Sequence, residues 1–191
     1  MKKNGFTLVE LLAVIIIIGI TITLVIVKVD NNLKNVAKFG DQQTINSIES
    51  AALSYYNIYS YETSKIKTIG VDTITLQDLV EKGFIKVQTI KNYSTTDVVL
   101  VANVNGAIKT KYTKTIKPVI FLNGTDEISV YQNETYSELG AKVAIPNTGI
   151  LDLDNSNISS NVDTTTIGKY EITYSYTNAE SVKRIVNVIS K

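Results

Sequence analysis

Residues 1–27 read MKKNGFTLVELLAVIIIIGITITLVIV, and this stretch decides the architecture of the chain. From Phe6 to Val27 there are 22 residues with one charge among them, Glu10. As an α-helix this run is about 33 Å long, enough to cross the hydrocarbon core of a bilayer. Lys2 and Lys3 precede it, so the short leader stays cytoplasmic and the bulk of the chain lies outside. A secretory signal peptide has a shorter apolar core followed by a small-residue cleavage site, and NNLKNVAKFG supplies no such site. A plain membrane anchor fits the length but has no use for Glu10. A carboxylate near the centre of an inserted helix costs about 2.5–3.5 kcal/mol, and somewhat less near one end.

A third reading gives Glu10 a task. The order Lys2-Lys3-Asn4-Gly5, then Phe6-Thr7-Leu8-Val9-Glu10, then Leu11-Leu12-Ala13-Val14 and a run of Ile resembles the class III signal of type IV pilins and pseudopilins. The resemblance implies cleavage by a prepilin peptidase after Gly5 and N-methylation of the new N-terminal residue, Phe6. It also implies that Glu10 neutralises the Phe6 amine of an adjoining subunit inside a filament. A buried charge is tolerated mainly when it is paired, so the implied role is physically sound. Gly19 resembles the helix-loosening glycine of many pilins, whereas Val27 stands where many major pilins carry a proline.

Working outward from the apolar run, the pattern turns amphipathic. Leu33, Val36 and Ala37, then Ile45, Ile48, Ala52, Tyr55 and Tyr59, recur at intervals of three or four. A helix from Phe6 to about Tyr61 would be roughly 80 Å long, with Gly40 as a bend or weak point. Tyr55, Tyr56, Tyr59 and Tyr61 read as packing residues rather than a ligand-stacking stripe. Thr75 and Asp78 predict a capped short helix with Leu76, Leu79 and Val80 on its apolar side and Gly83 as its stop. The segment resembles the short helix ending in Lys-Gly-aromatic-Ile of Gram-positive pilin-like proteins. DVVLVANV and AIKTKYTKTI predict two strands joined at Asn105-Gly106. Lys109, Lys111, Lys114 and Lys117 read as a solvated strand face leading into a linker.

From Pro118 onward the chain reads as all-β. PVIFL, EISVY, AKVAI, GKYEITYSYT and SVKRIVNVI are short runs rich in β-branched and aromatic residues with turn residues between them. Tyr170, Ile172, Tyr174 and Tyr176 alternate with polar residues, the period of a strand with one buried face. Pro118–Gly124, Tyr136–Ala141 and Val162–Tyr170 resemble a bacterial Ig-like module of surface proteins, which implies a β-sandwich used as a spacer or binding unit. The module is shorter than a full Ig domain, so a reduced sandwich is expected.

The expected fold class is therefore α+β: a long N-terminal helix with a small α/β head, then an all-β Ig-like sandwich. The expected segments are a leader at 1–5, a membrane or filament-core helix at 6–27, an amphipathic helix and head at 28–115, and the sandwich at 116–191. The chain of 191 residues has no Cys and no His, which excludes disulfides, thiolate chemistry and histidine-based acid–base catalysis. A net charge of +1 and a single arginine, Arg184, give no support for a nucleic-acid partner. Asp152, Asp154 and Asp163 are weak metal candidates, because Asn157 stands where a calcium loop needs glycine and Asp163 where it needs glutamate. Asp78 with Glu81, or Asp152 with Asp154, could be offered as paired carboxylates, but no convergent cleft is evident, so no enzyme and no cofactor are expected. The leading reading is a minor pilin-like subunit displaying an Ig-like module, with the peptidase, other pilins, the membrane and an unidentified surface ligand as partners. A pseudopilin of a DNA-uptake or secretion system, and a plainly anchored Ig-like surface protein, are the alternatives.

Overall fold

The computed structural model describes residues 41–60 and 65–191. The expected helix of residues 6–27 and the bend at Gly40 lie outside the described residues. The described fold is mostly β-sheet with a few helices. Residues 45–191 form one compact unit, and residues 41–44 of the preceding unit are helical.

Helix α1 occupies residues 41–55. It buries Ile48 and Ala52 of the expected stripe, together with Ala51 beside them. It loosens into a π turn over Tyr56–Ser60. Tyr56 is buried there, and Tyr55 packs edge-on against Phe84 with ring centroids 5.5 Å apart. Tyr59 also meets Phe84, at 5.8 Å, while remaining 66% exposed. Tyr55 and Tyr56 are therefore packing residues, as their spacing suggests, and Tyr61 lies outside the described residues. A short helix α2 (Lys65–Ile69) leads into strand β1 (Val71–Thr75) and helix α3 (Leu76–Glu81).

The cap of α3 is the expected one. The Thr75 hydroxyl accepts from the Asp78 amide at 3.0 Å, and the Asp78 carboxylate accepts from the Thr75 amide at 3.2 Å. Two orphan amides of the first turn are thereby satisfied. Gly83, at φ +79°, supplies the left-handed residue that ends the helix.

Strands β2 (Val98–Val104) and β3 (Ala107–Thr113) form an antiparallel hairpin, and β1 pairs with β2 on its other side. Asn105 and Gly106 both have positive φ, +53° and +86°, as a two-residue hairpin turn requires. β2 is the central strand and nearly every residue in it is buried, because both of its faces are covered. Val99 and Val101 join the core under α1, while Leu100, Ala102 and Val104 point the other way.

What they meet is the sandwich. Strands β4 (Val119–Leu122), β6 (Ala141–Ile145) and β7 (Gly149–Asp152) form one sheet in the order β4-β6-β7. Strands β5 (Glu127–Tyr131), β8 (Ile158–Ser160), β9 (Gly168–Tyr174) and β10 (Val182–Ile189) form the other, in the order β5-β10-β9-β8. Five strands were expected; β7 and β8 are the additional two. The β5–β10 pairing is parallel, which the run of short strands did not foretell. Ile120, Leu122, Ala141, Val143, Ile172, Tyr174 and Val186 fill the space between the two sheets.

Every other residue of β4 and β6 points out of the sandwich instead, so Val119, Phe121 and Ala144 pack with Val71, Leu100, Ala102 and Val104 of the head sheet. Ile150 of β7 closes the cluster. Helix, head sheet and the two sandwich sheets are thus four layers with three apolar interlayers. Gly149 allows one of the closest approaches, since a Cβ there would stand 3.2 Å from the Ile69 carbonyl. Polar contacts rim this seam: Lys65 Nζ donates to Asn147 Oδ1 at 2.8 Å, Asn105 to Asn123 at 3.0 Å, and Lys109 Nζ to the Leu122 carbonyl at 2.9 Å. Lys109, expected on a solvated face, is therefore half-buried and joins head to sandwich.

Candidate functional site

The residues expected to carry assembly, Lys2, Lys3, Gly5, Phe6 and Glu10, lie outside the described residues. The structure does position the remaining candidates, and it gives each a local structural task. Asp152 pairs with Lys142 at 2.6 Å across the β6–β7 edge. Asp154 accepts from the Ser156 amide at 2.8 Å and caps a short 3-10 turn. Asp163 accepts from the amide and hydroxyl of Thr165 at 2.9 and 2.7 Å. These turn contacts hold the fully exposed Asp154 and Asp163 carboxyls below their ordinary range. Among the described residues no three acidic side chains are grouped as a metal site. Of the carboxylates weighed for catalysis, Asp78 closes the α3 cap and Glu81 accepts from Gln77 one turn away at 2.7 Å.

One polar constellation went unread in the sequence. Arg184, the only arginine, is fully buried inside the sandwich. Its Nη1 pairs with Glu138 and donates to the Tyr174 hydroxyl at 2.8 Å. Its Nε donates to the Thr125 carbonyl at 3.0 Å, and its Nη2 to the Asn123 carbonyl. Tyr174 and Tyr136 donate to the two Glu138 oxygens at 2.5 and 2.6 Å, and the Gly140 amide donates at 2.7 Å. Burial pushes the Glu138 pKa up, but the two tyrosine hydroxyls, the Gly140 amide and Arg184 outweigh it and hold the carboxyl below 4.5. The same burial, with the nearby carboxylate, pushes the Tyr136 hydroxyl up to about 12. Every member has partners, and the group ties the β4–β5 and β5–β6 connections to β9 and β10. It is a brace within the sandwich. The signal was present: Arg184 has the same parity as Val182, Val186 and Val188, which places it on the inward face of β10.

The two ends of the chain match different families. Residues 1–26 match the prokaryotic N-terminal methylation motif. Residues 120–188 match the family described as bacterial surface protein, Ig-like domain. The chain joins a type IV pilin signal to an Ig-like surface module. A comparison with curated proteins finds no match. Among solved structures, a lipoprotein from Bacteroides thetaiotaomicron is similar over 39% of this chain and 38% of its own, at 22% identity and a TM-score of 0.33. The methylation motif implies processing by a prepilin peptidase, assembly with other pilins, and membrane anchoring followed by a place in a surface filament. Among the described residues no helix is long and apolar enough to cross a membrane; the apolar run precedes them.

Proposed function

We propose that this chain is a minor type IV pilin-like subunit, cleaved after Gly5, methylated at Phe6 and assembled through its N-terminal helix, with its Ig-like module displayed for adhesion or interaction at the cell surface. The observation that carries this reading is the presence of the methylation motif over residues 1–26 and the Ig-like match over 120–188 in one chain. Minor status rests on bulk, since a sandwich added to the head would crowd a tightly packed helical array. In this reading the chain works by assembly and display, and Asp78, Asp152 and Asp154 serve as caps and a surface pair.

Glu10 is the residue on which assembly turns, by neutralising the Phe6 amine of a neighbouring subunit. Gly5→Leu blocks processing, so the full-length precursor accumulates in the membrane fraction. Glu10→Ala leaves processing intact but removes the chain from sheared filaments. Normal incorporation of processed Glu10→Ala subunits would end the charge-pairing account.

A further inference from the structure

A cleft of about 400 Å³ opens where the head meets the sandwich, between the end of β3, the segment entering β4 and the turn before β10. Its volume lies in the range of small-molecule sites, which favour the junctions of modules. Three lysines, Lys111, Lys117 and Lys183, line it against one acid, Glu180. Lys117 Nζ holds the Glu180 carboxylate at 2.5 Å, and that side chain is otherwise 80% exposed. The bond to Lys117, with Lys111 further off, keeps the Glu180 carboxyl below its ordinary range. Lys183 reaches Glu171 at 2.8 Å through an exposed pair that contributes little and yields to a competing anion, and Lys111 reaches the half-buried Glu49 at a looser 3.6 Å.

Thr113 lines the cleft, is 5% exposed, and its hydroxyl has no hydrogen-bond partner among the described residues. A buried hydroxyl without a partner costs about 1–3 kcal/mol, so it favours whatever supplies one. Ser181 adds a further hydroxyl, and Pro118 and Val182 give the cleft an apolar shelf.

We propose that this seam cleft binds a sugar acid, whose carboxylate takes the place of Glu180 beside Lys117 and Lys111 while its ring hydroxyls engage Thr113 and Ser181. Glu180 is then a resident carboxylate that marks the anion position and competes for it. A bare inorganic anion satisfies the lysines but leaves the hydroxyls and the shelf unused. The inference does not depend on filament assembly, because every residue in it belongs to the compact unit.

The test uses the full chain in non-ionic detergent, with tri-galacturonate as the probe and calorimetry as the readout. The uncharged methyl ester, inorganic phosphate and a hexaglutamate peptide serve as comparisons. Tri-galacturonate is expected to bind about tenfold tighter than its methyl ester, the effect of one charge-assisted contact. Lys117→Gln weakens it about tenfold at unchanged melting temperature, and Glu180→Gln tightens it about threefold by removing the competitor. Equal binding of acid and ester, a match by phosphate or hexaglutamate, or weaker binding in Glu180→Gln would each overturn the proposal, whether or not the chain assembles into filaments.

Discussion

The interior of the sandwich and the seam beneath the head are both closed by apolar side chains, but they are held in different ways. The sandwich encloses a charged brace, Arg184 with Glu138 and two tyrosines. The seam is a cluster of valines, alanines, Leu100 and Phe121 with hydrogen bonds only at its rim. An apolar centre with a polar rim is the anatomy of a permanent interface rather than of a linker. The Ig-like module is therefore not a bead on a string. It covers a face of β2 that would otherwise expose Leu100, Ala102 and Val104, so head and module stabilise each other.

Breaking the brace should have the largest effect. Arg184→Ala leaves Glu138 without its cation and is expected to destabilise the folded unit by about 3–5 kcal/mol, measured by denaturant unfolding. Acid should act on the same group. The Glu138 pKa is depressed on folding, so its contribution is fully present above its ordinary value of 4.5 and is lost as pH falls through the lower folded value. Melting temperature should accordingly fall below that pH, and less so in Glu138→Gln.

The seam comes next. Phe121→Ala should cost about 3 kcal/mol. Unlike Arg184→Ala, it should split one calorimetric transition into two, as head and sandwich uncouple. A single transition in the variant would mean that Phe121 is not the residue through which the seam couples them. Thr75→Ala, which removes one half of the α3 cap, should cost about 1 kcal/mol and leave the sandwich untouched. Asp152→Asn, in an exposed pair with Lys142, should change stability by less than about 0.5 kcal/mol. Millimolar calcium should not raise the melting temperature, because Asp152, Asp154 and Asp163 serve separate turn and edge contacts.

Local signals in the sequence carried well into the structure, and relations between distant segments did not. The Thr75–Asp78 cap, the Asn105–Gly106 turn and the alternation of β9 are set by neighbours within a few residues, and each is found where its pattern places it. β7 and β8 are only four and three residues long, GILD and ISS, and exist because they pair at the edges of sheets already formed. The parallel β5–β10 pairing depends on a crossover through the whole module. The seam does have a sequence signal: VVLVANV is apolar at nearly every position, which argues for a strand covered on both faces. Arg184 was legible in the same way from the parity of β10. The assembly residues are the reverse case. Their motif is the strongest signal in the sequence, yet they precede the described residues.

In the proposed function Gly5–Phe6 is a processed junction whose product enters a surface filament. Mass spectrometry of the N-terminal peptide in a sheared surface fraction from the native host tests it most directly. A peptide beginning with N-methylated Phe6 is the expected result. A chain that keeps Met1 and stays with the membrane would contradict it, and would make this an Ig-like module on a plain anchor.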